Sequence, residues 1–151
     1  MLSKLFKKRL IFLLFIISVL AACNSKSNKY DEEKITKEIL EMANKWNEAW
    51  NGTINLDTMM ALHHNKLQYY WHGKPMTYEG FKEVLEKYII GVETYDNALR
   101  NPVVTIIDKN NAIIGFQLVP KNNPLEETET AFSLVFTRVN SKWKIIHIHE
   151  G

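Results

Sequence analysis

The chain has 151 residues, with 19 basic and 17 acidic side chains, 46% hydrophobic residues and one cysteine. Four of the basic residues (Lys4, Lys7, Lys8 and Arg9) precede Cys23, so residues 23–151 carry fifteen basic against seventeen acidic groups, a formal −2. That balance excludes a nucleic-acid face built on net positive charge, and a lone cysteine excludes an internal disulfide.

The N-terminal basic cluster is followed by an apolar run, Leu10 to Ala22, broken only by Ser18. The run is shorter than the roughly 20 residues a membrane-spanning helix needs. It has the length and flanking charge of an export signal. It ends in Leu20-Ala21-Ala22-Cys23, which resembles a bacterial lipobox. The expectation is a signal peptide over 1–22 and a lipid-bearing Cys23 carrying palmitate-type chains. A polar tether over 23–30 would then hold an extracytoplasmic domain on a membrane. Asn24 does not resemble the aspartate that retains such proteins at the inner membrane, which implies the outer membrane where the cell has one.

Residues 31–151 form one domain of ordinary size. In "DEEKITKEILEMANKWNEAW", Ile35, Ile39, Met42, Trp46, Ala49 and Trp50 recur every three or four residues, with acidic groups in the first turn. This predicts a long amphipathic helix, stopped at Asn51-Gly52-Thr53. "NLDTMMALHH" reads as a second, short helix, and "KLQYYWHGK" as a strand closed by a turn at Gly73, with His72 in that turn. "TYEGFKEVLEKYIIGV" reads as a third helix capped by Thr77, with Phe81, Leu85, Tyr88 and Ile89 on its buried stripe. The period then changes from 3.6 to 2. "VVTIID", "AIIGFQLV", "TAFSLVFTRV" and "WKIIHIHE" predict strands joined by the turns "KNN" and "NSK" and the longer loop "PKNNPLEE". "ETYDNALR" is a further candidate strand. Helices first and strands later, with short antiparallel connections, give an α+β class.

Trp46, Ala49 and Trp50, Asp57, the hairpin Gly73 and the closing "NSKWKIIHIHEG" resemble the NTF2-like superfamily, in particular its SnoaL-like and DUF4440-like bacterial members. The resemblance implies a cone: three N-terminal helices packed in a strongly bent, mixed or antiparallel sheet, with a pocket at the mouth. It also implies a family that holds both enzymes and binding or assembly modules, so the fold does not give the activity.

On an unbroken strand, Trp143, Ile145, His147 and His149 share one face. If that face looks into the cone, both imidazoles approach the mouth, with His149 nearer to it. Phe132, Leu134, Phe136 and Phe116 line the neighbouring strands, and Trp46, Trp50, Leu62 and His63 close the cavity from the helical side. Three chemistries compete for the histidines. They can be polar lining of an apolar pocket, ligands to a metal completed by His63 and His64, or acid–base groups oriented by Asp57, Glu93 or Asp96. Asp96 and the adjacent Tyr95 would point to opposite faces of a strand. The expectation is lining without metal or cofactor, around a small apolar or amphipathic ligand. The alternative is a dehydratase, isomerase or cyclase that uses a pocket histidine. Ile146, Ile148, Val135 and Ile113 would lie on the other face and predict a homodimer through the outside of the sheet.

Overall fold

The computed structural model describes residues 30–71, 73–89, 96–122 and 130–151. The export segment with Cys23, and His72, Glu93 and Tyr95, lie outside the described residues. Asp31–Gly151 is a compact unit.

Helix α1 (Glu32–Trp50) starts where the Asp31 side chain accepts from the Lys34 N–H, with Glu32 and Glu33 in the first turn. Its buried stripe is Ile35, Ile39, Ala43, Trp46 and Asn47, spaced by three and four, while Met42, Ala49 and Trp50 lie half-buried at its margins. Asn51 caps the helix end, and Gly52 follows at φ 71°. Helix α2 (Leu56–Ala61) buries Met59 and Met60. It is shorter than expected: Leu62 is its C-cap, and His63 and His64 already belong to strand β1 (His63–Trp71).

β1 turns at Gly73 (φ 73°) into β2 (Lys74–Thr77), a short strand not expected from the sequence. Thr77 then caps α3 (Tyr78–Val84) by accepting from the Gly80 N–H, as expected, and a π-helical turn (Leu85–Ile89) continues it. Phe81 and Leu85 are fully buried. Four strands follow: β3 (Asn97–Asp108), β4 (Asn111–Pro120), β5 (Ala131–Val139) and β6 (Lys142–Glu150). The β5–β6 turn holds Asn140 and Ser141 both at positive φ, 48° and 64°, the geometry that fits the twist of a two-residue hairpin.

The six strands run in the order β2-β1-β6-β5-β4-β3. β6 lies parallel to β1 and antiparallel to β5, so the sheet is mixed. The fold is the expected α+β cone: a strongly curved, unclosed sheet with the helices on its inner face. Bulges bend it. In β3 the register slips between Arg100 and Val103, where Asn101 takes φ 52°, and in β1 it slips between His63 and Gln68.

The slip with most consequence is in β6. Phe136 pairs with Ile145 but Val135 pairs with His147, so Ile146 is one extra residue opposite β5. Trp143 and Ile145 face inward before the bulge. After it, Ile148 and Glu150 face inward with their partners Leu134 and Phe132, while His147 and His149 pair with Val135 and Ser133 on the outside. The shared face expected for Trp143, Ile145, His147 and His149 therefore does not form. Ile148, expected on the outer face, is fully buried.

Candidate functional site

At the end of the cone where β6 finishes and β3 begins, a cavity of about 280 Å³ opens between α1 and the sheet. Each aromatic residue arrives by the period of its element. Trp46 and Trp50 are one helical turn apart on α1. Tyr69 and Trp71 are two apart on β1 and share its inner face. Phe132 is the first inward residue of β5. Trp46 meets Trp50 edge-on at 6.0 Å and 72°, and Phe132 at 5.5 Å and 58°. Tyr69 and Trp71 stack at 6.0 Å and 14°. Among the described residues, Leu118, Asn97 and Thr130 complete the rim, with one charged group, Glu150.

Glu150 enters because the Ile146 bulge shifts the alternation of β6. The Tyr69 hydroxyl donates to its Oε2 at 3.2 Å. Asn97 is fixed from α1: Asn47 and Asn51 both donate to its carbonyl, at 2.7 and 3.0 Å, and its N–H donates to Asn51 Oδ1 at 3.0 Å. The Nε1 atoms of Trp46 and Trp50 and the Oδ1 of Asn47 are buried without a hydrogen-bond partner. Unmet polar atoms of this kind are uncommon in a finished core, and here all three belong to α1 beside the cavity.

Of the residues expected to line the pocket, Trp46, Trp50 and Phe132 do so. Phe116 is one layer back, stacked on Phe132 at 5.9 Å and edge-on to Trp46. Leu62 instead lines an outward groove between α1 and α2, since the short α2 ends before it could turn inward. His63 is buried behind Phe81, 5.2 Å away, and does not reach the cavity. His147 and His149 are on the outside of the sheet, where Tyr70 packs against both at 5.8 and 6.3 Å.

His63 is a core histidine. Its Nδ1 is 2.8 Å from the Met59 carbonyl, which can only accept, so the ring carries its proton there and Nε2 is left bare and unpartnered. Burial holds its pKa down at about 4, so it is neutral near pH 7. Asp57 is exposed on α2, and Asp96 is exposed and ion-paired with Lys121 at 2.9 Å, so neither orients a histidine. Among the described residues no group of three or more His, Cys, Asp or Glu is placed to hold a metal ion.

Sequence reading missed Tyr69, Trp71, Asn97, Leu118, Thr130 and Glu150. The alternation of Leu67, Tyr69 and Trp71 was a usable signal for the first two. Glu150 had none, because an unbroken count of β6 assigns it to the opposite face.

Fold and site define a cone-shaped α+β protein with an aromatic cavity of small-molecule size at the open end of a bent sheet. The sequence model of the SnoaL-like domain matches residues 39–150, and the chain belongs to that family, within the NTF2-like superfamily. No curated protein matches the chain. Among solved structures, it is similar to a protein from Novosphingobium aromaticivorans provisionally named a scytalone dehydratase (TM-score 0.64, 12% identity, 79% of this chain and 84% of the other). It is likewise similar to the association domain of CaMKII from C. elegans (TM-score 0.63, 20% identity, 81% and 99%). A third similar structure is an NTF2-like protein of unknown function from Pseudomonas putida (TM-score 0.62, 14% identity, 76% and 84%). At these identities the likeness is one of fold.

Proposed function

We propose that the chain is a lipid-anchored, extracytoplasmic binding module whose cone holds a small apolar or amphipathic molecule. The observation that carries this reading is the cavity itself: aromatic walls from α1, β1 and β5 around one oriented carboxylate, the composition of a ligand pocket rather than of a packed core. Tryptophan fluorescence tests it, since Trp46, Trp50 and Trp71 all border the space. Titration with small apolar or amphipathic molecules should quench or shift the emission, and replacement of Trp50 by alanine should reduce the response. A panel that leaves the emission unchanged would sink the reading.

The anchor rests on the Leu20-Ala21-Ala22-Cys23 sequence and is tested separately. A Cys23→Ser chain should leave the membrane fraction once its signal is removed. Dimerisation rests on the outer sheet face, where Val135 and Ile113 are half-buried, Tyr70 is 38% exposed, and Val103 and Ile107 of β3 are 66% and 55% exposed. Light scattering should give twice the monomer mass, and a monomer at micromolar concentration would remove this part of the proposal.

One observation favours a second reading. A carboxylate held by a tyrosine inside an apolar cavity can accept a proton from a bound substrate, so Glu150, not a histidine, is the acid–base candidate. Turnover of a bound ligand that Glu150→Gln abolishes would establish it.

A further inference from the structure

We infer that the ligand of the cavity is a small organic cation, a quaternary ammonium or a protonated alkylamine. The inference rests on the binding reading above and narrows it to a charge class.

The first reason is an unbalanced charge. Among the described residues, Glu150 is the single carboxylate on the wall, and no lysine, arginine or histidine lines the cavity with it. Its one hydrogen bond is from Tyr69 to Oε2, and Oε1 takes no donor among the described residues. A carboxylate partly withdrawn from water needs a counter-charge or further donors to recover its lost solvation. Elsewhere in this protein that need is met internally. Glu38, also half-buried, accepts from Arg138 at 2.5 Å and from Trp143 Nε1 at 2.8 Å. At Glu150 no described residue supplies the compensating cation, and a bound ligand could.

The second reason is the wall. Aromatic faces carry negative electrostatic potential and attract alkylammonium groups, while their apolar surface accepts the methyl groups of such a cation. Trp46 and Trp50 stand at a wide angle to each other, and Tyr69 and Trp71 stack on the strand that brings the Glu150 partner. Rings set at different angles around a carboxylate form a partial cage for a rounded cation. An anionic ligand would meet Glu150 with no positive group among the described residues to offset it.

The test uses two probes of one shape: choline and its carbon isostere 3,3-dimethylbutan-1-ol, which differ in charge alone. Each is titrated by tryptophan fluorescence into the full chain, purified in a non-ionic detergent. Choline should bind about tenfold or more tightly than the isostere. Glu150→Gln, which keeps the shape and an acceptor for Tyr69, should bring the two toward parity while circular dichroism stays unchanged. If the isostere binds as well as choline to the wild-type chain, the cation inference is overturned and the binding reading stands. If the preference survives Glu150→Gln, Glu150 is not its source and the inference fails in this form. If neither probe binds, the cation inference falls, and the binding reading is decided by the wider panel.

Discussion

Two glutamates face the interior of the cone from opposite ends, and they are treated differently. Glu38, from the first half of α1, receives Arg138 and the Trp143 indole, and the Arg138 guanidinium lies 4.3 Å over the Trp143 ring. The surrounding Phe136 and Ile145 are fully buried. Glu150 receives a single tyrosine hydroxyl and borders a cavity. At one end the polar groups tie helix to sheet, although the Arg138 Nε is buried without a partner. At the other the aromatic side chains are present, but the described residues leave the space between them open.

The sharpest way to break this contrast is to empty the filled end. Phe136→Ala should cost about 3–5 kcal/mol of stability, because the neighbours of a fully buried ring cannot collapse into its volume. Trp71→Ala, at the half-buried cavity wall, should cost distinctly less in the same urea titration. Equal costs would mean that the two ends are packed alike.

Between the ends, His63 makes the core sensitive to acid. Its pKa in the folded protein, about 4, lies below the ordinary 6.5, so the unfolded chain takes up the proton first as pH falls. Stability from this group is complete above pH 6.5 and lost on the way down to about pH 4. The upper bound is about 3 kcal/mol, since each unit of difference is worth about 1.4 kcal/mol. Urea midpoints measured across that window should fall in the wild-type chain, and His63→Leu should remove this part of the slope.

Removing the Glu38 carboxylate leaves Trp143 and Arg138 without their acceptor. Glu38→Ala should therefore cost about 1–3 kcal/mol, read as a lower thermal midpoint. Glu150→Gln should change stability by less than about 1 kcal/mol, in either direction, because no buried partner charge is abandoned. A loss at Glu150 as large as that at Glu38 would show that the cavity carboxylate holds the fold together. The smallest effect should come from His147→Ala with His149→Ala. On the outside of the sheet the pair should shift monomer stability by no more than about 0.5 kcal/mol, and should leave cavity binding unchanged.

Much of this architecture could be read from residue periods. Ile35, Ile39 and Trp46 marked α1, the β-branched runs marked β3 to β6, and Thr77 and Gly73 marked their cap and turn. Trp46, Trp50 and Phe132 were placed at the cavity by their periods together with the cone that the family resemblance implies. What escaped depended on non-local pairing. β2 is four residues long and is defined by its partner β1. The parallel pairing of β1 with β6 joins segments roughly eighty residues apart in sequence. The Ile146 bulge leaves no trace in a run of isoleucines and histidines. A single uncounted residue therefore reversed the assignment of His147, His149 and Glu150 together.

The unclosed sheet has a consequence for crowding. Beyond β4, the long strand β3 has no other strand beside it among the described residues, and a free edge of that length is an invitation to pair with another chain. The edge is blunted at two points. The Asn97 backbone is occupied by Asn47 and Asn51 of α1. Asn101 then turns into a left-handed conformation just before Pro102, which has no N–H to offer. Copies concentrated side by side would meet an interrupted template rather than a continuous one. Pro102→Thr would remove one of the two blocks, and its cost would appear as precipitation on concentration rather than as a lower melting temperature.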